Sequence, residues 1–316
     1  MTRPRHRTLV ALFAIVTVAL IMSGCDQKAA GNKVGDNNHD PHVLVFAAEP
    51  SFRFTTDQQS SEALIEMLEK ETSKEIRFQT GTDYATVIKG LRDGKIDVAA
   101  LGPLSYVLAK NEGAPVTLVA VRVNEKGKPP GYRSYGITWT GSPIKTLADF
   151  RGRRICFVDR NSTSGYLYPS AALLDMGIDP NKDIIPIFAG GDDASVFAVA
   201  NHRCDAGFAY DTVVDQQLID QGRLQTDQVT TVWKSTIIPG PPLVIANYLS
   251  AKLRKQLTTA LQNKANADYL RANGFCQGKC AISDGTSYGY QPADDADYRD
   301  LTEICRRVQG SSCAEN

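Results

Sequence analysis

The chain contains three consecutive hydroxyl residues, Ser162, Thr163 and Ser164, at a position where they could bind an anion. They follow an apparent strand at 154–159 and precede a helical apolar run at 171–176. The first N–H groups of a helix lack internal partners and carry a positive partial charge. Together with the hydroxyls they would form a cradle of neutral donors that fits a small tetrahedral oxyanion. An ordinary Ser/Thr helix cap is the alternative interpretation.

The elements that must position this cradle alternate between strands and helices. Short apolar runs predict strands at 43–48, 76–79, 96–101, 134–139, 204–210 and 243–246. Between the second and third, Tyr84, Val87, Ile88 and Leu91 recur at the spacing of an amphipathic helix, which Gly94 can end. This alternation predicts an α/β protein with mostly parallel sheets.

Two stretches rich in Pro and Gly, 124–131 and 238–242, interrupt the alternation. A second α/β unit begins at Ser134, after the first interruption. The strand and helices beyond the second interruption would return to the first unit. A length of 316 residues also favours two domains.

The N-terminal residues have the composition of an export signal. Three arginines precede a mainly apolar run at 9–22, which is followed by two small residues and Cys25. The segment resembles a bacterial lipoprotein signal, which implies cleavage of residues 1–24, lipidation of Cys25 and a lipid-anchored location on the extracytoplasmic face of the cell membrane. Polar residues 25–42 would form a flexible tether. A single transmembrane anchor is the alternative, but the run is shorter than the roughly 20 residues that a span needs.

Charge is balanced over the whole sequence, with 35 basic and 35 acidic residues. Removing residues 1–24 removes three arginines and no acids, which leaves 32 basic against 35 acidic residues and a net charge of −3. No basic stripe with interleaved aromatic residues is present, so the sequence gives no indication of a nucleic-acid partner.

Cysteine usage indicates disulfides. Of seven cysteines, lipidation of Cys25 leaves six, an even number in an exported protein. Six cysteines allow 15 connectivities, among which the sequence alone does not choose. We expect Cys156 to pair with Cys204, because both belong to predicted strands of one domain. The other four, Cys276, Cys280, Cys305 and Cys313, would staple the C-terminal segment. A zinc site at Cys276-x-x-x-Cys280 is the alternative, but no histidine lies nearby, so we predict no metal.

Several motifs together resemble the phosphate/phosphite/phosphonate-binding proteins, which are the extracytoplasmic subunits of ABC importers. They are Thr-Asp-Tyr at 82–84, Gly-Lys-Ile-Asp-Val-Ala at 94–99, Gly-Pro-Leu-Ser-Tyr at 102–106, Pro-Gly-Tyr at 130–132, Leu-Ala-Asp-Phe-Arg-Gly at 147–152, Asn-Ser-Thr-Ser-Gly-Tyr at 161–166, Val-Ala-Asn at 199–201, Asp-Ala-Gly at 205–207, Trp-Lys-Ser at 233–235 and Ile-Pro-Gly at 238–240. The resemblance covers roughly residues 43–275, and the cysteine-rich tail lies outside it.

The resemblance implies a type II periplasmic-binding-protein fold, with two α/β lobes, two inter-lobe crossings and a ligand cleft at the hinge. Residues 43–132 and 242–316 would form lobe 1, and residues 133–241 would form lobe 2. The implied function is capture of a small phosphorus oxyanion by a monomer and its delivery to an ABC permease and the ATPase subunit. No cofactor is implied.

The resemblance also assigns site residues. The hydroxyl run at 162–164 supplies hydroxyls and amides to the oxyanion, and Tyr84 and Tyr132 donate their O–H groups across the cleft. Tyr106 is a weaker candidate, because a tyrosine at a strand–helix junction is as often packed as functional.

Departures from the family pattern bear on the ligand. Asp192 stands where the family commonly has a histidine, and an ionised aspartate can only accept hydrogen bonds. At the ligand, Asp192 or Asp211 would require a proton on the oxyanion, which sulfate lacks. A cap for the helix near Ala194 is the alternative role of Asp192. Pro241 replaces an acid that holds the ammonium group in aminoalkylphosphonate binders. The favoured ligands are therefore phosphate, phosphite or methylphosphonate.

Other functions remain open from the residues alone. A nucleophilic serine needs a base, and after removal of residues 1–24 the histidines are His39, His42 and His202, none in a catalytic motif, so we predict that the chain is not an enzyme. A ligand-sensing ectodomain would share the same site. Transport of a different small polar ligand is a third possibility.

Overall fold

The computed structural model describes residues 38–52, 58–278, 280, 282, 286–309 and 313. The proposed signal sequence, the lipidation site Cys25 and most of the tether lie outside these residues. The last tether residues are attached to the fold, because His39 forms a bridge with Leu249. Within the described residues, no helix has the length and apolar character needed to cross a membrane.

Eleven strands are present in the described ranges. They are β1 Val43–Ala48, β2 Glu75–Thr80, β3 Val98–Ala100, β4 Val116–Val123, β5 Ser134–Trp139, β6 Arg154–Phe157, β7 Ile185–Phe188, β8 Ala206–Tyr210, β9 Val229–Lys234, β10 Pro242–Ala246 and β11 Gly289–Gln291. The helices there are α1 Gln58–Thr72, α2 Tyr84–Arg92, α3 Pro103–Asn111, α4 Tyr168–Asp175, α5 Asp192–Ala200, α6 Leu218–Asp220, α7 Ala251–Asn263, α8 Ala267–Ala272 and α9 Arg299–Gln309. Every strand predicted from an apolar run is confirmed, with ends that differ by a few residues.

The strands form two sheets, one of six strands in the order β11-β4-β10-β3-β1-β2 and one of five in the order β7-β6-β8-β5-β9. The prediction of mostly parallel sheets is wrong, because β10 runs antiparallel to β3 and β4, and β5 runs antiparallel to β8 and β9. The physical reason is the chain path: β5 and β10 each begin a segment that has just crossed from the other sheet, so no βαβ connection imposes a parallel direction on them.

The two crossing segments pair with each other. Tyr132 N donates to Ile238 O at 3.1 Å, and Ile238 N donates to Tyr132 O at 2.8 Å. Gly240 lies so close to the first sheet that a Cβ there would come within 2.8 Å of Arg122 O. The crossings therefore form a short two-stranded connection between the sheets.

Each sheet has its own apolar core. In the six-stranded sheet, Leu64 and Leu68 of α1 pack with Leu253 and Leu257 of α7 against the strands. In the five-stranded sheet, the rings of Phe150, Phe157 and Phe208 stack in the core. The predicted amphipathic helix is confirmed as α2, whose buried face is Tyr84, Val87, Ile88 and Leu91.

Three disulfides are present among the described cysteines. The predicted pair Cys156–Cys204 is confirmed and links β6 to the segment before β8. Cys276 pairs with Cys280, and Cys305 pairs with Cys313. The sulfurs of Cys276 and Cys280 are therefore not free thiolates for zinc, contrary to the alternative interpretation.

The C-terminal helix α9 packs on α3, which belongs to the first sheet's part of the chain, and on α4, which belongs to the second sheet's part. Tyr298, just before α9, donates to Gly240 O in the second crossing at 2.8 Å. Arg307 of α9 pairs with Asp175 at the end of α4, with Nη1 and Oδ1 2.6 Å apart. The tail thus connects both halves of the fold and the hinge.

Candidate functional site

A cavity between the two sheets brings together most of the residues that the sequence singled out. Its lining comprises Glu49, Ser51, Phe52, Tyr84, Gly102, Arg122, Tyr132, Ser162, Thr163, Ser164, Asp192, Tyr210 and Pro241. The cavity leaves about 30 Å³ for the centre of a water molecule, whereas one ordered water needs roughly 10–15 Å³. The space therefore suits a ligand of a few heavy atoms.

The hydroxyl run forms the first turn of a helical segment, a π-helical turn at Thr163–Leu167 that continues into α4. Ser162 is its N-cap and accepts a hydrogen bond from Gly165 N at 3.0 Å. A Cβ at position 165 would lie 2.2 Å from Val158 Cγ2, so the turn requires glycine there. The cap interpretation is thus correct for Ser162, and the three hydroxyl residues also line the cavity.

The start of α3 faces the hydroxyl turn from the other sheet. Leu104 N, one of the free amides of the first turn of α3, donates to Thr163 Oγ1 at 2.8 Å. The Thr163 hydroxyl accepts this bond, so its own proton is left for another partner. Two helical N-termini, one from each half of the fold, therefore meet at the cavity, and both favour negative charge.

A chain of hydrogen bonds joins Asp192 to Tyr84 through Ser51. The Ser51 hydroxyl donates to Asp192 Oδ2, and the Ser51 and Tyr84 hydroxyls are bonded to each other. Because the single Ser51 proton goes to Asp192, the Tyr84 proton is the one shared between the two hydroxyls. Tyr84 was expected to donate to the oxyanion, but in this arrangement its oxygen presents lone pairs to the cavity.

Asp192 lies at the start of α5 but does not cap it. Gly191 is the N-cap, with no side-chain cap bond, so the alternative role suggested for Asp192 is wrong. Its second oxygen, Oδ1, accepts from Tyr210 N at 3.2 Å. The carboxylate therefore bridges β8 and the Ser51 turn, and it remains next to the cavity.

Burial raises the pKa of both site tyrosines, so each keeps its proton at neutral pH. For Tyr132, hydrogen bonding to Thr163 and Ser164 and the nearby positive charge of Arg122 only partly offset the effect of burial. Tyr132 is thus a buried phenol within reach of the hydroxyl turn.

Asp211 and Tyr106 are not among the residues that line the cavity. The Asp211 carboxylate accepts from Arg133 N and Thr212 N, both at 2.9 Å, and burial raises its pKa. The Tyr106 hydroxyl donates to Asp295, and its ring packs edge-on against Tyr298.

Glu49, Ser51 and Arg122 are among the lining residues that sequence reasoning missed. Glu49 and Ser51 directly follow β1, and ligands of open α/β sheets bind beyond the carboxyl ends of strands, so their position was a usable signal. Arg122 lies within the apolar strand β4 and is 4% exposed. Among the described residues it is the one buried basic side chain. A lone arginine in an apolar strand was the signal for it.

Glu49 is fully buried between the start of α3 and the cavity. Its Oε2 accepts from Gly102 N at 2.8 Å, while Oε1 has no hydrogen-bond partner. Burial raises the pKa of this carboxyl to about 8, against the weaker opposing effects of hydrogen bonds from Ser105 and Gly102. At neutral pH the group is therefore mostly protonated, and it adds no full negative charge to an anion site.

Taken together, the arrangement offers hydroxyl and amide donors, one guanidinium and one protonated carboxyl to a small volume. Such a set stabilises an oxyanion through charge-assisted hydrogen bonds. In the part of the chain that the structure describes, no group of three or more His, Cys, Asp or Glu side chains could hold a metal ion.

Comparison with known proteins agrees with this geometry. Residues 46–298 match the protein family described as "ABC transporter, phosphonate, periplasmic substrate-binding protein". The chain is 37% identical to the phosphate-import protein PhnD of Mycolicibacterium smegmatis over 98% of both chains. It is 29% identical to the phosphonates-binding periplasmic protein of Escherichia coli over 62% of this chain and 58% of that one.

Two solved structures share the fold. The binding protein component of an ABC phosphonate transporter from Pseudomonas aeruginosa is 25% identical, with a TM-score of 0.74 over 85% of this chain and 87% of that one. PhnD1 from Prochlorococcus marinus, in complex with methylphosphonate, is 21% identical, with a TM-score of 0.72 over 86% of this chain and all of that one. The chain therefore belongs to the phosphonate family of periplasmic substrate-binding proteins of ABC transporters, with the two-lobed type II fold of that family.

Proposed function

We propose that the protein captures a small phosphorus oxyanion, namely phosphate, phosphite or methylphosphonate, and delivers it to an ABC permease with its ATPase subunit. The observation that carries this proposal is the cavity in which Ser162, Thr163 and Ser164 face Tyr132 and Arg122. Its donors come from both halves of the fold, so closure around an anion brings them together.

The size and polarity of the cavity support a small ligand. A space of about 30 Å³ for the centre of a water molecule does not accommodate a long substituent. Pro241 lines the cavity where an acid would be needed to hold an aminoalkyl chain. Asp192 accepts hydrogen bonds, so a protonated phosphorus oxyanion is favoured over sulfate.

The number of donors is consistent with useful affinity. Micromolar binding corresponds to about 8 kcal/mol. Each hydrogen bond to a charged group contributes about 1.5–3 kcal/mol, and a partly buried helix N-terminus contributes up to about 2 kcal/mol. Thr163, Ser164, Tyr132 and Arg122 with the two helix starts reach that range before the costs of association.

The site residues, the lobes and the cellular location form part of the same proposal. Lobe 1 comprises residues 43–132 and 242–316, and lobe 2 comprises residues 133–241. A lipid on Cys25 anchors the monomer to the extracytoplasmic face of the membrane, with residues 25–42 as a tether whose last part, at His39, docks on the fold. The protein binds and releases its ligand without chemical conversion, as expected for a relative of transport proteins.

Calorimetric titration of the purified protein tests the ligand assignment. Phosphate, phosphite, methylphosphonate, 2-aminoethylphosphonate and sulfate are compared at pH 6.5. Micromolar or tighter binding of at least one of the first three, with sulfate at least about 100-fold weaker, is expected from the acceptor at Asp192. Absence of heat with all five would overturn the assignment, and preference for sulfate would overturn the role of Asp192.

A further inference from the structure

Glu49 has a feature that the oxyanion site does not otherwise explain. It is 0% exposed, and its Oε1 atom has no hydrogen-bond partner although the residue lines the cavity. A buried carboxyl oxygen without a partner costs free energy, about 1–3 kcal/mol for a neutral group and more for a charged one. A bound ligand can supply the missing partner and so offset this cost in the functional state of the protein.

The second oxygen of Glu49 fixes where the proton resides. Oε2 accepts from Gly102 N at 2.8 Å, so it serves as the acceptor oxygen of the neutral carboxyl. The proton then belongs on Oε1, which has no hydrogen-bond partner in a residue that lines the cavity. Glu49 is thus held by the start of α3 through Oε2, and the proton on Oε1 is available to a ligand.

We propose that Glu49 is a ligand-binding residue whose Oε1 proton forms a hydrogen bond to the phosphorus oxyanion, so that the protein binds its ligand only when the Glu49–ligand pair holds one proton. This inference rests on the proposed oxyanion function. It identifies Glu49 as the group that makes binding depend on the protonation state of the ligand.

The surroundings of Glu49 support this role. The ionisable groups that face it from the elements around the cavity are Tyr84, Asp159, Asp192, Arg122, Tyr132 and Tyr210. Asp159 raises the pKa of Glu49 further, after burial as the main cause. No cation is among the causes that shift the pKa of Glu49. Ionised Glu49 would therefore repel a bound anion, whereas protonated Glu49 binds it.

The proton also gives a basis for selectivity. Phosphate-type oxyanions take up a proton near neutral pH, whereas sulfate and sulfonates do not. A hydrogen bond is strongest when donor and acceptor compete for the proton on similar terms, which holds for a carboxyl of pKa about 8 and a phosphorus oxyanion. The Glu49 proton thus forms a stronger hydrogen bond with the basic oxygens of phosphorus ligands than with those of sulfate or sulfonates.

The test compares phosphite binding by wild-type protein, Glu49→Gln and Glu125→Gln from pH 6.5 to 9.5. Glutamine keeps the acceptor for Gly102 N and offers an amide N–H in place of the carboxyl proton, but it does not titrate. Glu125 is an exposed glutamate and provides the matched control. Titration of phosphite itself is common to all three proteins and cancels.

We expect the affinity of wild-type protein and of Glu125→Gln to fall above pH 8, by up to about tenfold per pH unit. Glu49→Gln should bind within about tenfold of wild type at pH 6.5, lose no more affinity than phosphite titration dictates, and bind more tightly than wild type at pH 9.5. Parallel pH profiles of Glu49→Gln and wild type would overturn the proposal.

A second measurement needs no variant. Calorimetry at pH 8.5 in two buffers of different ionisation enthalpy gives the protons taken up with phosphite, which is fully ionised there. Uptake of roughly three-quarters of a proton is expected if binding reprotonates Glu49 alone. Uptake is larger if the ligand also gains the proton that Asp192 accepts, and zero uptake would overturn the proposal even if Glu49→Gln does not fold. Failure of wild-type protein to bind any phosphorus oxyanion at pH 6.5 would instead overturn the proposed function.

Discussion

At position 163 a single hydroxyl serves two halves of the molecule. Thr163 Oγ1 accepts from Leu104 N at 2.8 Å and has its proton left to donate. It is 2% exposed, so both functions operate out of bulk water. In the proposed site this residue would couple the start of α3 to the ligand, so its hydroxyl is a direct test of the cradle.

Replacing Thr163 by valine keeps the side-chain shape and removes the hydroxyl. We expect phosphite affinity to fall by about 10- to 100-fold, because a bond to a charged ligand worth about 1.5–3 kcal/mol is lost. Thr163→Ser keeps the hydroxyl and should remain within about threefold of wild type. Calorimetric titration of the two variants measures this difference, and equal affinity of Thr163→Val and wild type would remove Thr163 from the site.

The sequence placed hydroxyl residues at the cavity more accurately than it placed acids. Ser162, Thr163, Ser164, Tyr84 and Tyr132 all line the cavity, because a motif at a strand–helix junction carries its own local geometry. The hydrogen-bond partners of the carboxylates, in contrast, come from loops that are distant in sequence and meet only in the folded protein. Sequence spacing therefore could not show that Asp211 binds two backbone amides, or that Ser51 contacts Asp192, 141 residues away.

At the scale of elements, local patterns were reliable and pairing directions were not. The spacing of α2 and the apolar runs of β1 and β5 follow from side-chain burial, which the sequence records directly. The antiparallel placement of β10 follows from the chain returning across the hinge, which no local pattern encodes. The tail beyond residue 275 had no motif, and its contacts with α3 and α4 emerged only from the fold.

The three disulfides connect elements over very different chain lengths, which predicts their relative contributions to stability. Their sequence separations are 48 for Cys156–Cys204, 8 for Cys305–Cys313 and 4 for Cys276–Cys280. The loop-entropy relation gives contributions of about 4, 2.5 and 2 kcal/mol in that order, since the bridge that closes the longest loop constrains the unfolded chain most.

Paired Cys→Ser variants of each bridge test this order by denaturant unfolding. Midpoints should fall most for the Cys156/Cys204 variant and least for the Cys276/Cys280 variant. The Cys305/Cys313 variant also reports on α9, because Cys305 lies on its buried face. A loss larger for Cys305/Cys313 than for Cys156/Cys204 would mean that the anchoring of α9, rather than loop entropy, dominates.

The molecule as a whole places buried ionisable groups where its two halves meet. Glu49, Arg122 and Asp192 are each less than 5% exposed and line one cavity, although Glu49 and Arg122 belong to the first sheet's segment and Asp192 to the second's. Burying such groups costs free energy unless they are paired or neutral. The contact between the halves is therefore sensitive to pH, and the sign of that dependence follows from Glu49.

Burial raises the pKa of Glu49 from its ordinary value of 4.5 to about 8. Below pH 4.5 the folded and unfolded chains both hold this proton, so it contributes no difference. Between pH 4.5 and 8 the folded protein holds a proton that the unfolded chain has released, and stability falls as pH rises. Above pH 8 both forms have lost it and the dependence ends. The maximum slope is about 1.4 kcal/mol per pH unit.

Glu49→Gln removes this titration. The unfolding temperature of the variant should therefore rise relative to that of wild type as pH increases. Near pH 4.5 the difference is set by the substitution alone. Between pH 4.5 and 8 the free energy of unfolding of the variant should rise steadily relative to that of wild type, by up to a few kcal/mol. The reason is that folding of wild type requires Glu49 to take up a proton, which becomes less favourable as pH rises. Beyond pH 8 the gap should stay constant. Thermal unfolding of both proteins across this range, without ligand, measures it. A gap that does not change with pH would show that folding leaves the pKa of Glu49 unshifted, and it would contradict the burial of a protonated carboxyl at this position.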